Sequence, residues 1–220
     1  MRLFLLCLCI FTSCDAKSSS SEYEAGAPQE TIVEMVAKSN IKGVKAALDQ
    51  GADVNTRDRN KRTLLLLATI NKNAEMAKML VTHGADVNMQ DNIQDSPFLY
   101  AGASGQTELV DLFLKNGARF DVFNRYYGTA LIPACERGHV ETVKLLANTK
   151  NFPINHVNRL GWTALMEAVI LGSGGSKYQE IVKILKDRGA DLTIPDHNGQ
   201  TPLQHARLRG FNEIAKILSE

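Results

Sequence analysis

Five histidines, one interior cysteine and scattered acids are the side chains of this sequence that could do chemistry. His139-Val-Glu141 sets an imidazole and a carboxylate close together, as a general-base pair would require. His83, His156, His197 and His205 have no Cys or Glu beside them at a metal-ligand spacing, so no metal site is expected. Cys135 would need exposure and a lowered pKa to act as a redox thiol or nucleophile. Asp53, Asp86 and Asp191 each follow Gly-Ala with no ligand-dense loop around them, which favours turn capping over calcium binding. Near the start, Cys14 follows a short apolar run and is a candidate for acylation. Catalysis requires such groups to converge in a pocket, so the elements that carry them decide the matter.

Those elements are copies of one phrase, clearest in Gly199-Gln-Thr-Pro-Leu-Gln-His-Ala-Arg-Leu-Arg-Gly210-Phe-Asn-Glu-Ile-Ala-Lys-Ile-Leu218. Thr201 is a natural helix N-cap, and Pro202 suits the first helical position, where no N–H is missed. Gly210 marks a reversal, after which Ile214, Ile217 and Leu218 form the apolar stripe of a second helix. The opening Thr or Ser recurs at Thr63, Ser96, Thr129, Thr163 and Thr201, with spacings of 33, 33, 34 and 38. A second marker, Gly-Ala-Asp or Gly-Ala-Arg, begins at Gly51, Gly84, Gly117 and Gly189, with spacings of 33, 33 and 72. Both markers report the same six extra residues, one between Thr129 and Thr163 and five between Thr163 and Thr201.

This pattern resembles the ankyrin repeat, a β-turn and two antiparallel helices in about 33 residues. The resemblance implies an all-α solenoid of about six repeats with short β-turn fingers, over residues 29–220. It also implies that the Gly of each Gly-Ala-Asp unit ends a helix with positive φ. The second repeat has Lys72-Asn73 where the family has Gly-His, and Asn73 is expected to hold the left-handed turn. His139 and Glu141 fall in the Gly-His-x-Glu part of the family phrase, which is structural. Cys135 takes the slot of a packed inner-helix alanine. No catalytic residue, cofactor or metal is therefore expected. The five extra residues of the fifth repeat fall in Leu171-Gly-Ser-Gly-Gly-Ser-Lys-Tyr178, between its two helices, as either flexible padding or a contact loop.

Charge and the N-terminus narrow the setting. Twenty-five basic against 24 acidic residues leave a net +1, without the basic stripe of a nucleic-acid binder. Leu3 to Phe11 is apolar but spans only about 14 Å as a helix, too short for a bilayer core and suited to a signal peptide. Thr12-Ser13-Cys14 resembles the end of a bacterial lipobox, although Phe11 stands where Leu is usual. The resemblance implies that residues 1–13 are removed and that Cys14 is lipidated. Residues 14–28 would be a Ser-rich tether holding the domain at the periplasmic side of a bacterial membrane. Plain secretion is the alternative. Cys7 and Cys9 would leave with the signal, so only Cys135 would remain and no intramolecular disulfide could form.

Ankyrin proteins usually bind through finger tips and exposed inner-helix positions. Carried over, that face includes Arg125, Tyr126, Tyr127, Arg137, Arg159, Trp162, Ile170 and Leu171, with Phe123 beside them. Tyr, Trp and Arg are enriched at binding hot spots. A monomeric, non-catalytic module with a protein partner is expected. Other readings are an immunity protein against a toxic envelope enzyme, a hydrolase using His139 or Cys135, and a cytoplasmic or host-directed ankyrin protein.

Overall fold

Most of the helix pairs open on a hydroxyl. Thr31, Thr63, Ser96, Thr163 and Thr201 each accept the backbone N–H three residues on, satisfying a donor that a helix start leaves unpaired. Glu34 and Gln204 return the bond to Thr31 and Thr201, so the first and last inner helices carry full capping boxes. A computed structural model describes residues 30–220. Cys14 and the segments expected to be a signal peptide and a tether lie outside the described residues.

Twelve helices are present among the described residues, in six pairs. The inner helices are α1 (Ile32–Ala37), α3 (Leu64–Ile70), α5 (Pro97–Ala103), α7 (Leu131–Glu136), α9 (Ala164–Ile170) and α11 (Pro202–Leu208). Their outer partners are α2 (Ile41–Asp49), α4 (Ala74–Thr82), α6 (Thr107–Lys115), α8 (Val140–Ala147), α10 (Ser176–Asp187) and α12 (Asn212–Ser219). Each inner helix packs on the next, and from α4 onward each outer helix packs on the next outer one. The apolar seam between the layers includes Leu64, Leu65, Met76, Leu80, Phe113, Leu131, Leu146, Leu165 and Ile181, all buried. No helix among the described residues is long and apolar enough to cross a membrane.

The fourth pair departs from the rule. In the other repeats of the series the N–H of Leu67, Tyr100, Glu167 and His205 reaches back to the carbonyl of the capping Thr or Ser. The fourth repeat has Pro133 in that slot, which has no N–H to give. The helix accordingly starts one residue late, and Thr129 Oγ1 is buried without a partner. Thr129 keeps its place in the repeat but does not cap.

Reversals within pairs use one left-handed residue each: Ser39, Lys72, Gly105, Gly138, Gly174 and Gly210. In the second pair this corrects the expectation for Asn73. Lys72 aligns with the Gly of the family phrase and takes φ 55°. Asn73 aligns with its His, and caps α4 by accepting the Met76 N–H. Gly51, Gly84, Gly117 and Gly189 all have positive φ just past a helix end.

The inserted loop is anchored at Gly172 and Tyr178, with most of its other residues exposed. Three of its residues extend α10, which has 12 residues where α4 and α6 have 9. Tyr178 is buried, and its hydroxyl donates to the Glu136 carbonyl at 2.9 Å. Gly172 lies against the Ala168 carbonyl and the Tyr178 ring.

Candidate binding face

Each finger is built around one acceptor. Asp58, Asp91, Asn124, Asn158 and Asp196 each take backbone N–H bonds from two and four residues ahead at 2.8–3.1 Å. The residue three ahead, Lys61, Gln94, Tyr127, Gly161 or Gly199, has positive φ. This acceptor always precedes the opening Thr or Ser of its repeat by five residues, a regularity that sequence reading missed. Neighbouring fingers are tied by backbone: Asn92 N–H to the Asn60 carbonyl and Arg159 N–H to the Tyr126 carbonyl. Asp53, Asp86 and Asp191 cap turns, each accepting the N–H two residues on.

The fourth finger carries the proposed aromatic and basic group, and it divides in two. Tyr126 is 52% exposed and has the Arg125 guanidinium 5.1 Å from its ring centre. Arg125 also approaches Asp95 at 3.8 Å. Tyr127 turns away, in a left-handed conformation with φ 60°, to pack against Phe123 and His156. Phe123 and His156 stack at 4.4 Å, and His156 Nε2 bonds the Tyr127 carbonyl. Arg159 uses its guanidinium on the Arg125 carbonyl, and Arg137 uses one N–H on the Ala103 carbonyl. Trp162 is half-buried at the base of the fifth finger, Ile170 is half-buried, and Leu171 is exposed at the end of α9.

Two hollows adjoin at Tyr126. The first, about 250 Å³, lies between the fourth and fifth fingers and helices α7 and α9. Tyr126, Leu160, Ile132 and Pro133 give it apolar walls, and Glu136, Asn158 and Glu167 give it polar ones. The second, about 320 Å³, lies between the third and fourth fingers, with Asp95, Arg125, Arg137 and Tyr100 in its lining. Burial raises the Asp95 pKa, with the Asp91 charge adding to it. Trp162, Tyr127, Arg159, Ile170 and Leu171 are not among the residues lining either hollow. The structure therefore brings Arg125, Tyr126 and Arg137 together and spreads the other five candidates around them.

Glu167 is the residue that sequence reading missed. It is 5% exposed and accepts one bond, from Asn158 Nδ2 at 2.8 Å. Burial, with the Glu136 charge added, pushes its pKa to about 7. The unfolded chain would release that proton near the ordinary 4.5. Between these values the folded state binds more protons, so stability falls as pH rises. The carboxyl should cost about 2 kcal/mol at pH values above its folded pKa, allowing for screening through the open hollow. Urea unfolding of the wild type and Glu167→Gln at low and high pH checks this. The variant should gain stability relative to wild type as pH rises, and parallel curves would mean an unperturbed carboxyl.

Cys135 is buried, and desolvation, then the Glu167 charge, hold its thiol well above its ordinary pKa. His139 is half-buried against Gly105, burial lowers its pKa, and no hydrogen bond joins it to the exposed Glu141. Among the described residues no group of three or more His, Cys, Asp or Glu could hold a metal ion.

The family model described as ankyrin repeats in three copies matches residues 32–124 and 98–196. The chain belongs to the ankyrin repeat family. The ankyrin repeat protein YahD of Escherichia coli (strain K12) is 40% identical over 182 residues, covering 82% of this chain and 90% of that one. A solved ankyrin repeat domain of Acinetobacter baumannii AYE is 50% identical with a TM-score of 0.83, covering 86% of this chain and 95% of that one. A second solved ankyrin repeat protein is 43% identical at the same TM-score, covering 86% and 96%. Ankyrin repeats are generally non-catalytic protein-binding modules, and these relatives are ankyrin repeat proteins.

Proposed function

We propose that the third to fifth repeats form a docking face for a protein partner at the periplasmic side of a bacterial membrane, with no catalytic role. The observation that carries the docking reading is the pair of hollows meeting at exposed Tyr126. Aromatic and arginine side chains around preformed hollows supply hot-spot contacts, and a hydrogen-bonded solenoid has little ordering cost on binding. In this reading residues 1–13 are removed, Cys14 is acylated, and residues 14–28 hold the array off the bilayer. The apolar run from Leu3 to Phe11 ending at Thr12-Ser13-Cys14 supports that placement.

A photo-crosslinker at Tyr126 in intact cells, with a control at exposed Lys45, tests the face. One envelope protein captured only at Tyr126 supports it, and the same smear from both positions rejects it. Mass spectrometry of the purified chain tests the anchor: an acylated N-terminus at Cys14 supports it, and an intact Met1 rejects it. Replacing Arg125 and Tyr126 together with alanine should weaken binding of the captured protein by about 2 kcal/mol or more. Their exposure keeps the expected change in unfolding free energy within about 0.5 kcal/mol. Calorimetric titration and thermal unfolding of the same variant separate these effects.

A further inference from the structure

We propose that the hollow between α7, α9 and the fourth and fifth fingers is the specificity pocket of this face, taking a lysine or arginine side chain of the partner protein. The inference rests on the docking reading above and specifies what the docked surface must present.

The argument begins with a comparison inside the chain. The fifth and sixth repeats place the same two positions in contact: the finger acceptor, and the residue nine later on the inner helix. In the sixth repeat these are Asp196 and His205, whose Oδ2 and Nε2 lie 2.9 Å apart, so the acid has an internal base. In the fifth they are Asn158 and Glu167, so the acid is answered by a neutral amide. Glu167 Oε2 receives no hydrogen bond among the described residues, and neither Glu167 nor Glu136 takes part in an ion pair there. Both carboxylates line the same hollow. The nearby guanidiniums are committed elsewhere, Arg137 to the Ala103 carbonyl and Arg125 to Asp95 and the Tyr126 ring. A buried carboxylate without a counter-charge is costly, and a cation delivered from outside relieves that cost.

The walls suit the rest of such a side chain. Ile132, Pro133 and Leu160 offer apolar contact for an alkyl stem, and Tyr126 stands at the rim with an aromatic face. Pro133 contributes by subtraction. The slot that holds Leu67 and Tyr100 in earlier repeats holds a short ring here, and Glu167 occupies the same slot one repeat on. A volume of about 250 Å³ accommodates one long side chain.

The test uses ethylguanidinium chloride as the probe, titrated into the full ¹⁵N-labelled chain above the Glu167 pKa of about 7, with sodium chloride as the control. Saturable amide shifts are expected at Glu136, Asn158 and Glu167, and in the Asn158 side-chain amide. Glu167→Gln keeps an acceptor for Asn158 and should weaken the probe by about tenfold, the loss of one charge-assisted contact. The double variant Glu136→Gln with Glu167→Gln removes both carboxylates from the lining and should abolish saturable binding. Shifts that never saturate, or that are unchanged in both variants, overturn the pocket. That result would leave the crosslink at Tyr126 unaffected, because protein capture there needs no cation in the hollow. Probe binding without capture at Tyr126 would overturn the envelope partner alone.

Discussion

Replacing Phe113 with alanine should lower the free energy of unfolding by about 3–5 kcal/mol. The ring is fully buried on α6, in the third of six repeats, where α6 meets α5, α8 and α4. Removing it deletes apolar contact and leaves a void that helices held on three sides cannot close. Position within the array sets the consequence. In a solenoid each repeat is stabilised mainly by its neighbours, so damage to a central interface can uncouple the two sides. Trp162, the single tryptophan, reports on the fifth repeat, whereas far-ultraviolet circular dichroism reports on all helices. Denaturation of the variant should therefore show the dichroism transition moving ahead of the tryptophan transition. A common shift of less than about 1 kcal/mol would contradict the placement of Phe113 in the seam. Leu218, buried on α12, should cost about 2 kcal/mol when truncated to alanine.

Replacing Gly172 with alanine should cost about 3 kcal/mol, the upper range for forcing one methyl group into a filled site. A Cβ there would sit 2.2 Å from the Ala168 carbonyl oxygen and 2.6 Å from the Tyr178 ring. Neither obstacle yields easily. The carbonyl belongs to the backbone of α9, and the ring is held by its hydroxyl bond to Glu136. Thermal and urea unfolding measure the loss. A change within about 0.5 kcal/mol, the range of an exposed neutral site, would support the reading of this segment as flexible padding.

The caps were legible because their chemistry is local. A hydroxyl bonds an N–H three residues away, so Thr63, Ser96, Thr163 and Thr201 announce their helices without reference to the rest of the chain. Thr129 shows the limit: the residue that spoils its cap, Pro133, is visible in sequence but acts by what it lacks. Asn73 was misread by a slip of one position, because Asn serves both left-handed turns and N-caps. The finger acceptors recur at the spacings of the caps and could have been found by aligning the repeats on them. The candidate face was legible in outline and not in its division of labour. Arg125 and Tyr126 face the hollows, while Arg159 and Tyr127, identical in kind, are used to hold fingers together. Glu167 was hidden because much of its environment comes from α7 and the fourth finger, distant in sequence. A glutamate in a slot held elsewhere by Leu67, Tyr100 and Pro133 was the available signal.

Asp86, Arg119 and Asp191 each donate a backbone N–H to an asparagine of the preceding repeat, Asn55, Asn88 and Asn155. The first two bonds span 31 residues and the third spans 36, yet all three are 2.8–2.9 Å long. The extra residues are absorbed on the far side of the array, by the reversal around Gly172 and the longer α10. The chain thus has a seam at which length can be added without a phase error in the rank of fingers. Lineages could lengthen or shorten that seam while a partner reading the fingers met an unbroken grating.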